Sequence, residues 1–193
     1  IGKSKTTDVG IVHRPGFAEQ TDYAGAAAIK ILNFFEEYYG IDYPGSKLDL
    51  IAVPDFAMGA MENVGAVTFR ETLLLIDVEK ATRSELSRSI SVIAHELAHM
   101  WFGDLVTMNW WDGIWLNEAF ASLMEVIASE ATYPEFKLWN EMNQDRSRGF
   151  GVDSLKSSRP VEFEVKSPEE AEEMFDVLTY QKGSTVLRMF ETF

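Results

Sequence analysis

The sequence predicts an α+β fold, in which a mixed sheet is formed by the first part of the chain and helices make up the second. Two observations lead to this prediction. Short apolar segments bounded by Pro and Gly, typical of strands, lie before about residue 80 and are accompanied by one early helix. Longer segments with helical periodicity and capping residues follow. Because strands and helices do not alternate along the chain, the pattern favours α+β over a βαβ arrangement.

The first part of the chain contains one predicted helix and three predicted strands. The helix covers residues 21–39, where Ala, Ile and Leu recur at helical spacing, and Gly40 is its expected stop. A loop rich in Gly and Met is expected at residues 56–65. The predicted strands are residues 47–53, 66–69 and 72–76.

The second part of the chain is predicted to be mainly helical. Thr82 and Glu85 form a capping box, which predicts a helix from there to about residue 101, with Gly103 beyond its end. Ser167 is a further expected helix start, and residues 149–165 are expected to be irregular. The other predicted helices cover residues 113–131, a segment opened by Pro134, and residues 178–193.

The composition excludes several classes of protein. Of 193 residues, 46% are hydrophobic and 25% are charged, which is an ordinary balance for a globular domain. The net charge of −14 argues against a nucleic-acid partner, which requires clustered Lys and Arg. No apolar run approaches the length of a membrane span. Cysteine is absent, so a transition-metal site must use His, Asp or Glu.

The strongest functional signal is the sequence His-Glu-Leu-Ala-His at residues 95–99. His95 and His99 share one face of a predicted helix, so both imidazoles can bind one Zn²⁺ from the same side. Glu96 lies about 100° further round the helix and can reach a water molecule beside the metal without being a ligand. The alternative is a helix with two incidental histidines. Its apolar surroundings argue against this, because a buried His pair is costly unless the rings are bonded.

Glu118 is the predicted third ligand. A catalytic zinc site typically has three protein ligands, and the next predicted helix carries Glu118 among apolar and aromatic residues. A buried carboxylate without a partner is costly, and a zinc ion would remove that cost. The alternative is a salt-bridged or exposed helical glutamate, which is the usual state of this residue.

Three motifs together resemble one known family. Residues 95–121 read HELAHMWFGDLVTMNWWDGIWLNEAFA, which is similar to the zinc signature of the M1 aminopeptidases. Residues 59–63 read GAMEN, the exopeptidase motif of that family, and Tyr180 follows downstream within YQKG. The motifs occur in the family's order over nearly the whole chain. One departure is Ala119, which stands directly after the third ligand where the family most often has Gly.

The resemblance implies a metal-binding or catalytic role for five residues. One Zn²⁺ would be bound by His95, His99 and Glu118. Glu96 would be the general base and then the proton shuttle, and Tyr180 would donate a hydrogen bond to the oxyanion.

The resemblance also implies how a peptide is bound. Glu62 would bind the α-ammonium of the substrate with help from Glu118, and Met58 would line the first side-chain pocket. Gly59 and Ala60 would offer their backbone to an extended peptide. The complete substrate-binding set implied in this way is Met58, Gly59, Ala60, Met61, Glu62, Asn63 and Glu118.

The fold implied by the resemblance is a single thermolysin-like catalytic domain over residues 1–193. Its β-rich part would cover about 1–80 and its helical part about 81–193. Full-length family members carry a β-rich domain before this region and a large helical domain after it. We therefore expect this chain to be a fragment on which those flanking domains pack.

The function implied is that of a zinc-dependent aminopeptidase, which hydrolyses the N-terminal peptide bond through a water activated by zinc. The implied partners are peptides with a free N-terminus. Two alternatives stay open: a zinc-binding fragment or interaction module without catalysis, and an aminopeptidase that is also an epoxide hydrolase. The absence of cysteine, signal peptide and membrane segment slightly favours a cytoplasmic location.

Overall fold

A computed structural model describes residues 1–5 and 7–192, and in this part of the chain five strands form one mixed sheet. The order across the sheet is β1-β2-β3-β5-β4. The two outer pairs, β1 with β2 and β4 with β5, are antiparallel, and the inner pairs are parallel. The strands are β1 (Gly2–Ser4), β2 (Thr7–Val12), β3 (Lys47–Val53), β4 (Ala60–Met61) and β5 (Ala66–Arg70).

The helices follow the order along the chain that the sequence predicts. A single π-helical turn, Leu178–Lys182, runs directly into the last helix. Short 3₁₀ turns precede three of the helices. The α-helices are α1 (Asp22–Tyr39), α2 (Glu71–Leu74), α3 (Arg83–Ala98), α4 (Ile114–Thr132), α5 (Leu138–Asp153), α6 (Pro168–Glu172) and α7 (Gly183–Glu191).

The main core lies between the sheet and the helices. In the central strand β3, Leu48, Leu50 and Ala52 are buried, and the residues between them are more exposed, as expected for a strand with one face on a core. Helix α1 contributes the fully buried Ile31 and Phe35 to the same core. This packing gives the sheet edge formed by β4 a fixed position relative to the helices.

Helix α3 is the element that carries the histidine pair. Its start is fixed by a reciprocal capping box, in which the Glu85 amide donates to Thr82 Oγ1 and the Thr82 amide donates to Glu85 Oε2 at 2.7 Å. Its apolar residues Ile90, Ile93 and Leu97 are completely buried, and α3 packs along α4. The end of α3 is therefore held firmly inside the protein.

The predicted α+β fold is confirmed, and most of the predicted elements occur. The helix predicted at 21–39 is α1, and Gly40 follows it with a left-handed φ of 64°. The strand predicted at 47–53 is β3. The last predicted helix occurs as the π turn and α7, but its predicted end, Phe193, lies outside the described residues.

Three predictions for local structure are wrong. Residues 72–76 do not form a strand, because residues 71–74 form the short helix α2, in which Glu71 pairs with Arg14 at 2.8 Å and Leu74 is fully buried. A short apolar run fits a buried helix as well as a strand. The predicted loop 56–65 contains the edge strand β4. The segment predicted to be irregular from residue 149 begins only after α5 ends at Asp153.

None of the helices in the described part of the chain is long and apolar enough to cross a lipid bilayer.

Candidate metal centre

The two histidines of the motif lie at the buried end of α3. They are one helical turn apart, and their ring centroids are separated by 4.8 Å. The side chain of His95 is 12% exposed and that of His99 is 1% exposed. Both Nε2 atoms are directed towards the first turns of α4.

Glu118 on α4 lies against both imidazoles. Its Oε2 is 3.2 Å from His95 Nε2 and 3.6 Å from His99 Nε2, and the three possible ligand atoms lie within 4.8 Å of one another. Two ligand atoms of a tetrahedral zinc site with bonds of about 2.0–2.1 Å are separated by about 3.4 Å. The two distances from Glu118 Oε2 lie on either side of this value, and the predicted ligands His95, His99 and Glu118 are grouped as possible ligands of one ion.

The second ring nitrogen of each histidine has its own acceptor. His95 Nδ1 donates to Glu125 Oε2 at 3.1 Å, and His99 Nδ1 donates to the Phe102 carbonyl oxygen at 3.0 Å. These bonds favour the tautomer whose Nε2 carries the lone pair that a metal needs. The contact of Glu125 with His95 is not among the interactions predicted from the sequence. The position of Glu125 seven residues after Glu118 was the available signal, because that spacing returns to the same helix face.

The charges of the three groups stabilise one another. Burial acts to raise the pKa of Glu118, but hydrogen bonds and positive charge from the two imidazoles hold the pKa well below its ordinary value. For His95 and His99, burial acts to lower the pKa, but the neighbouring carboxylates outweigh it and raise the pKa of both rings. Because positive charge stabilises the buried carboxylate of Glu118, a cation bound between the same three side chains would stabilise it as well.

Glu96 is buried beside the histidines, with 6% of its surface exposed. One of its carboxylate oxygens lies within 4.8 Å of a ring nitrogen of His99 and of a carboxylate oxygen of Glu62. Burial raises its pKa to about 7, and the neighbouring carboxylates add to this rise, which the two histidines oppose. A carboxyl group with a pKa near neutrality can both accept and release a proton under physiological conditions.

Tyr180 approaches the same centre from the π turn before α7. Its ring stacks on the imidazole of His95 with a centroid distance of 6.0 Å and an interplanar angle of 25°. Burial and the negative charge of Glu118 raise the pKa of Tyr180 well above its ordinary value. The hydroxyl therefore stays protonated and can act as a hydrogen-bond donor. Single π turns of this kind are frequent at functional sites.

Glu62 lies on the other side of His99. Its Oε1 is 3.9 Å from His99 Nδ1 and accepts a hydrogen bond of 3.2 Å from Asn117 Nδ2. The loop before it is fastened to β5, where the Arg70 guanidinium donates to the Phe56 and Ala57 carbonyl oxygens. The carboxylate of Glu62 therefore lies next to the candidate ligand His99, although the loop that carries it comes from an earlier part of the chain.

A cavity of about 310 Å³ opens beside the histidine pair. His95, Glu96 and Tyr180 line it, and the segment from Met58 to Ala60 forms part of its wall. The other predicted substrate-binding residues do not line the cavity: Met61 and Asn63 are exposed, Glu62 lies beside His99, and Glu118 is one of the candidate ligands. Ala60, the first residue of β4, therefore lies in the wall of the same cavity as His95, Glu96 and Tyr180.

The family comparison agrees with this geometry. The peptidase family M1 domain matches residues 23–193, and the chain belongs to that family.

Several curated proteins are similar to the chain over most of its length. It is 45% identical over 178 residues to Aminopeptidase M1 of Arabidopsis thaliana, and the aligned segment covers 92% of this chain and 20% of that protein. It is 47% identical over 176 residues to Puromycin-sensitive aminopeptidase of Caenorhabditis elegans, covering 91% and 19%. It is 48% identical over 190 residues to Endoplasmic reticulum aminopeptidase 2 of Homo sapiens, covering 98% and 20%. The chain thus spans about one fifth of the length of these relatives.

Proposed function

We propose that this chain carries the catalytic centre of a zinc-dependent aminopeptidase, which removes single residues from the free N-terminus of peptides. The observation that carries the proposal is the meeting of His95, His99 and Glu118 around one point. The names of the relatives, which are all aminopeptidases, support the reaction class. Zinc bound there would polarise the carbonyl of the peptide bond and make a nearby water more acidic.

Glu96 is the proposed proton carrier. Its carboxyl group is buried beside the candidate ligands, where it could take a proton from the attacking water and later give it to the leaving amine. Its burial limits contact with bulk water to the side that faces the cavity. The cavity wall that Glu96 shares with His95 gives the peptide bond access to both.

Tyr180 is the proposed donor to the carbonyl oxygen as that oxygen gains negative charge. Its hydroxyl is protonated, and its ring is held against His95. One positioned donor of this kind is worth about 3–4 kcal/mol of transition-state stabilisation.

Glu62 is the proposed group that limits cleavage to the first peptide bond. A carboxylate fixed close to the ligand group binds the α-ammonium and determines which carbonyl reaches the metal. Strand β4 lies at an edge of the sheet, so an extended peptide can add to it through the backbone of Ala60. The carbonyl oxygen of Gly59 already accepts from the Arg70 amide, so the proposed part of Gly59 is to let the peptide pass close to the backbone. The exposed Met58, Met61 and Asn63 then border this path.

We propose that the described sheet and helices form one catalytic domain over 1–193, with the boundary between its β-rich and helical parts near residue 80. Because the relatives are about five times longer, the rest of the protein is expected to pack on this domain and to help enclose the peptide.

The proposal is tested by metal analysis and peptide hydrolysis with the whole protein. We expect one zinc ion per chain and release of the first residue from amino-acyl amides. A chelator should abolish hydrolysis and added zinc should restore it, and N-acetylated peptides should not be cleaved. Full hydrolysis after removal of the metal would refute the proposal, and so would equal cleavage of free and acetylated peptides.

A further inference from the structure

Asn117 connects two carboxylates that come from different parts of the fold. It directly precedes Glu118 on α4 and is 8% exposed. Its Nδ2 donates a hydrogen bond of 3.2 Å to Glu118 Oε1 and another of 3.2 Å to Glu62 Oε1. One side-chain amide therefore bridges the proposed metal ligand and the proposed ammonium-binding group.

The chemistry of the neighbours fixes the orientation of this amide. Ionised carboxylates only accept hydrogen bonds, so the NH₂ group must face Glu62 and Glu118, and the reverse orientation would bring three oxygens together. The amide oxygen of Asn117 consequently points towards Gly103, where a Cβ atom would be 2.2 Å away. Gly103 has φ of +136°, a conformation that favours glycine. The absence of a side chain at Gly103 leaves room for the bridging orientation.

Strand β4 and Arg70 hold the backbone of the loop, so the bridge acts on the side chain of Glu62, which could otherwise turn away from Glu118. The two carboxylates repel each other, and Glu62 lies in a loop while Glu118 lies in a helix. Within residues 1–5 and 7–192, the bond from Asn117 is the only side-chain hydrogen bond that Glu62 accepts. The nearby His99 Nδ1 is 3.9 Å away and already donates to Phe102.

We propose that Asn117 is a positioning residue that sets the distance between the ammonium-binding carboxylate of Glu62 and the metal ligand Glu118. This inference rests on the proposed aminopeptidase function. By fixing both carboxylates, Asn117 determines how well a free N-terminus is recognised when the adjacent carbonyl is at the reactive groups. It contacts neither the peptide nor the metal, and it acts through the positions of Glu62 and Glu118.

Two inhibitors that differ in one group test this role in the whole protein. Leucine hydroxamate and its analogue without the α-amino group, 4-methylpentanohydroxamate, chelate the metal in the same way. The ratio of the inhibition constant of the analogue to that of leucine hydroxamate is measured at saturating zinc and compared between variants. Intrinsic differences between the two hydroxamates then cancel, and a change in the ratio reports a change in ammonium recognition. Asn117→Ala and the near-isosteric Asn117→Leu should each reduce this ratio by about tenfold, because each removes a hydrogen bond to a charged group. Asn143→Ala, at an exposed position on α5, is the matched control and should leave the ratio unchanged.

A second readout uses the zinc-free protein and no substrate. Because Glu118 also loses a donor, the affinity of the zinc-free protein for zinc should fall about tenfold in both Asn117 variants, measured by competition with a chelator. A purely structural role for Asn117 would weaken both inhibitors equally and leave their ratio intact, which would overturn the inference.

The failure of this inference is distinguishable from failure of the proposed function. If the unmodified protein does not prefer the amino-bearing inhibitor, the proposed recognition of a free N-terminus is wrong and the inference falls with it. If Glu62→Gln keeps the full preference, the ammonium-binding role proposed for Glu62 is wrong, and the inference falls while the metal-dependent hydrolysis remains to be judged by its own test. If both behave as expected while the Asn117 variants keep the full ratio, only the inference is overturned.

Discussion

Replacing Glu125 tests whether the orientation of His95 controls metal binding. Glu125 Oε2 accepts a hydrogen bond of 3.1 Å from His95 Nδ1, and their side chains are only 18% and 12% exposed, so solvent screens the interaction little. Glu125→Gln keeps an acceptor but removes the charge. A hydrogen bond to a charged group is worth about 1.5–3 kcal/mol and a neutral one about 0.5–1.5 kcal/mol. The midpoints of these ranges differ by about 1.25 kcal/mol, which corresponds to an affinity for zinc that is about eightfold weaker.

Competition between the zinc-free protein and a chelator of known affinity measures this change. Glu125→Ala removes the acceptor entirely and should weaken zinc binding by about 10–100-fold. Glu130→Gln makes the same chemical change further along α4, away from the histidines, and serves as the control. The reasoning is refuted if Glu125→Ala binds zinc as tightly as the unmodified protein, or if the control weakens it equally.

Substitutions at three further positions separate chemistry from stability. Glu96→Gln should retain zinc and lower kcat by about 10²–10⁴-fold, because the proton acceptor is lost; unchanged turnover would remove its role as base. Tyr180→Phe should lower kcat by about 10²–10³-fold with little change in KM, and a raised KM with unchanged kcat would contradict a role in the transition state. Ile93→Ala in the core of α3 should reduce the free energy of unfolding in urea by about 2–5 kcal/mol, whereas Ile93→Val should cost only about 0.5–1.5 kcal/mol.

The sequence predicted best those elements whose boundaries are set by local chemistry. The capping box of Thr82 and Glu85 marks the start of α3, and Gly40 marks the end of α1 because it adopts the left-handed conformation. Pro54 follows directly after the last residue of β3. In each case, the deciding interactions lie within a few residues along the chain.

The elements that the sequence did not predict depend on partners outside their own segment. Residues 71–74 form a helix in which Glu71 is paired with Arg14, which lies 57 positions earlier. Strand β4 has only two residues and exists because Ala60 and Met61 pair with β5. Local apolar patterns carry no information on such partners.

In the candidate site, the motif residues could be predicted from the sequence, whereas the contacts around them depend on the fold. The spacing of His95, His99 and Glu118 was readable because the first two share a helix face and the third lies in the next helix. The seven-residue spacing places Glu125 on the helix face of Glu118, but its contact with His95 depends on the packing of α3 against α4. The bridge from Asn117 depends on the position of the loop that carries Glu62.

The departure at Ala119 has a packing counterpart in the structure. Ala119 is completely buried, and a Cβ atom at Gly183 would lie 2.7 Å from the Ala119 methyl group. Because Gly183, the first residue of α7, has no side chain, there is room for the methyl group of Ala119, which stands where the family most often has Gly. This compensation between two distant positions was not visible in either local sequence.

X-ray absorption at the zinc edge tests the central claim most directly. With one zinc ion bound per chain, we predict only nitrogen and oxygen ligands at about 2.0–2.1 Å, including two imidazoles. Replacing His99 by Ala should reduce the number of imidazole ligands from two to one. A spectrum with no imidazole contribution, or one that is unchanged in the His99→Ala protein, would contradict a metal centre formed by these two helices.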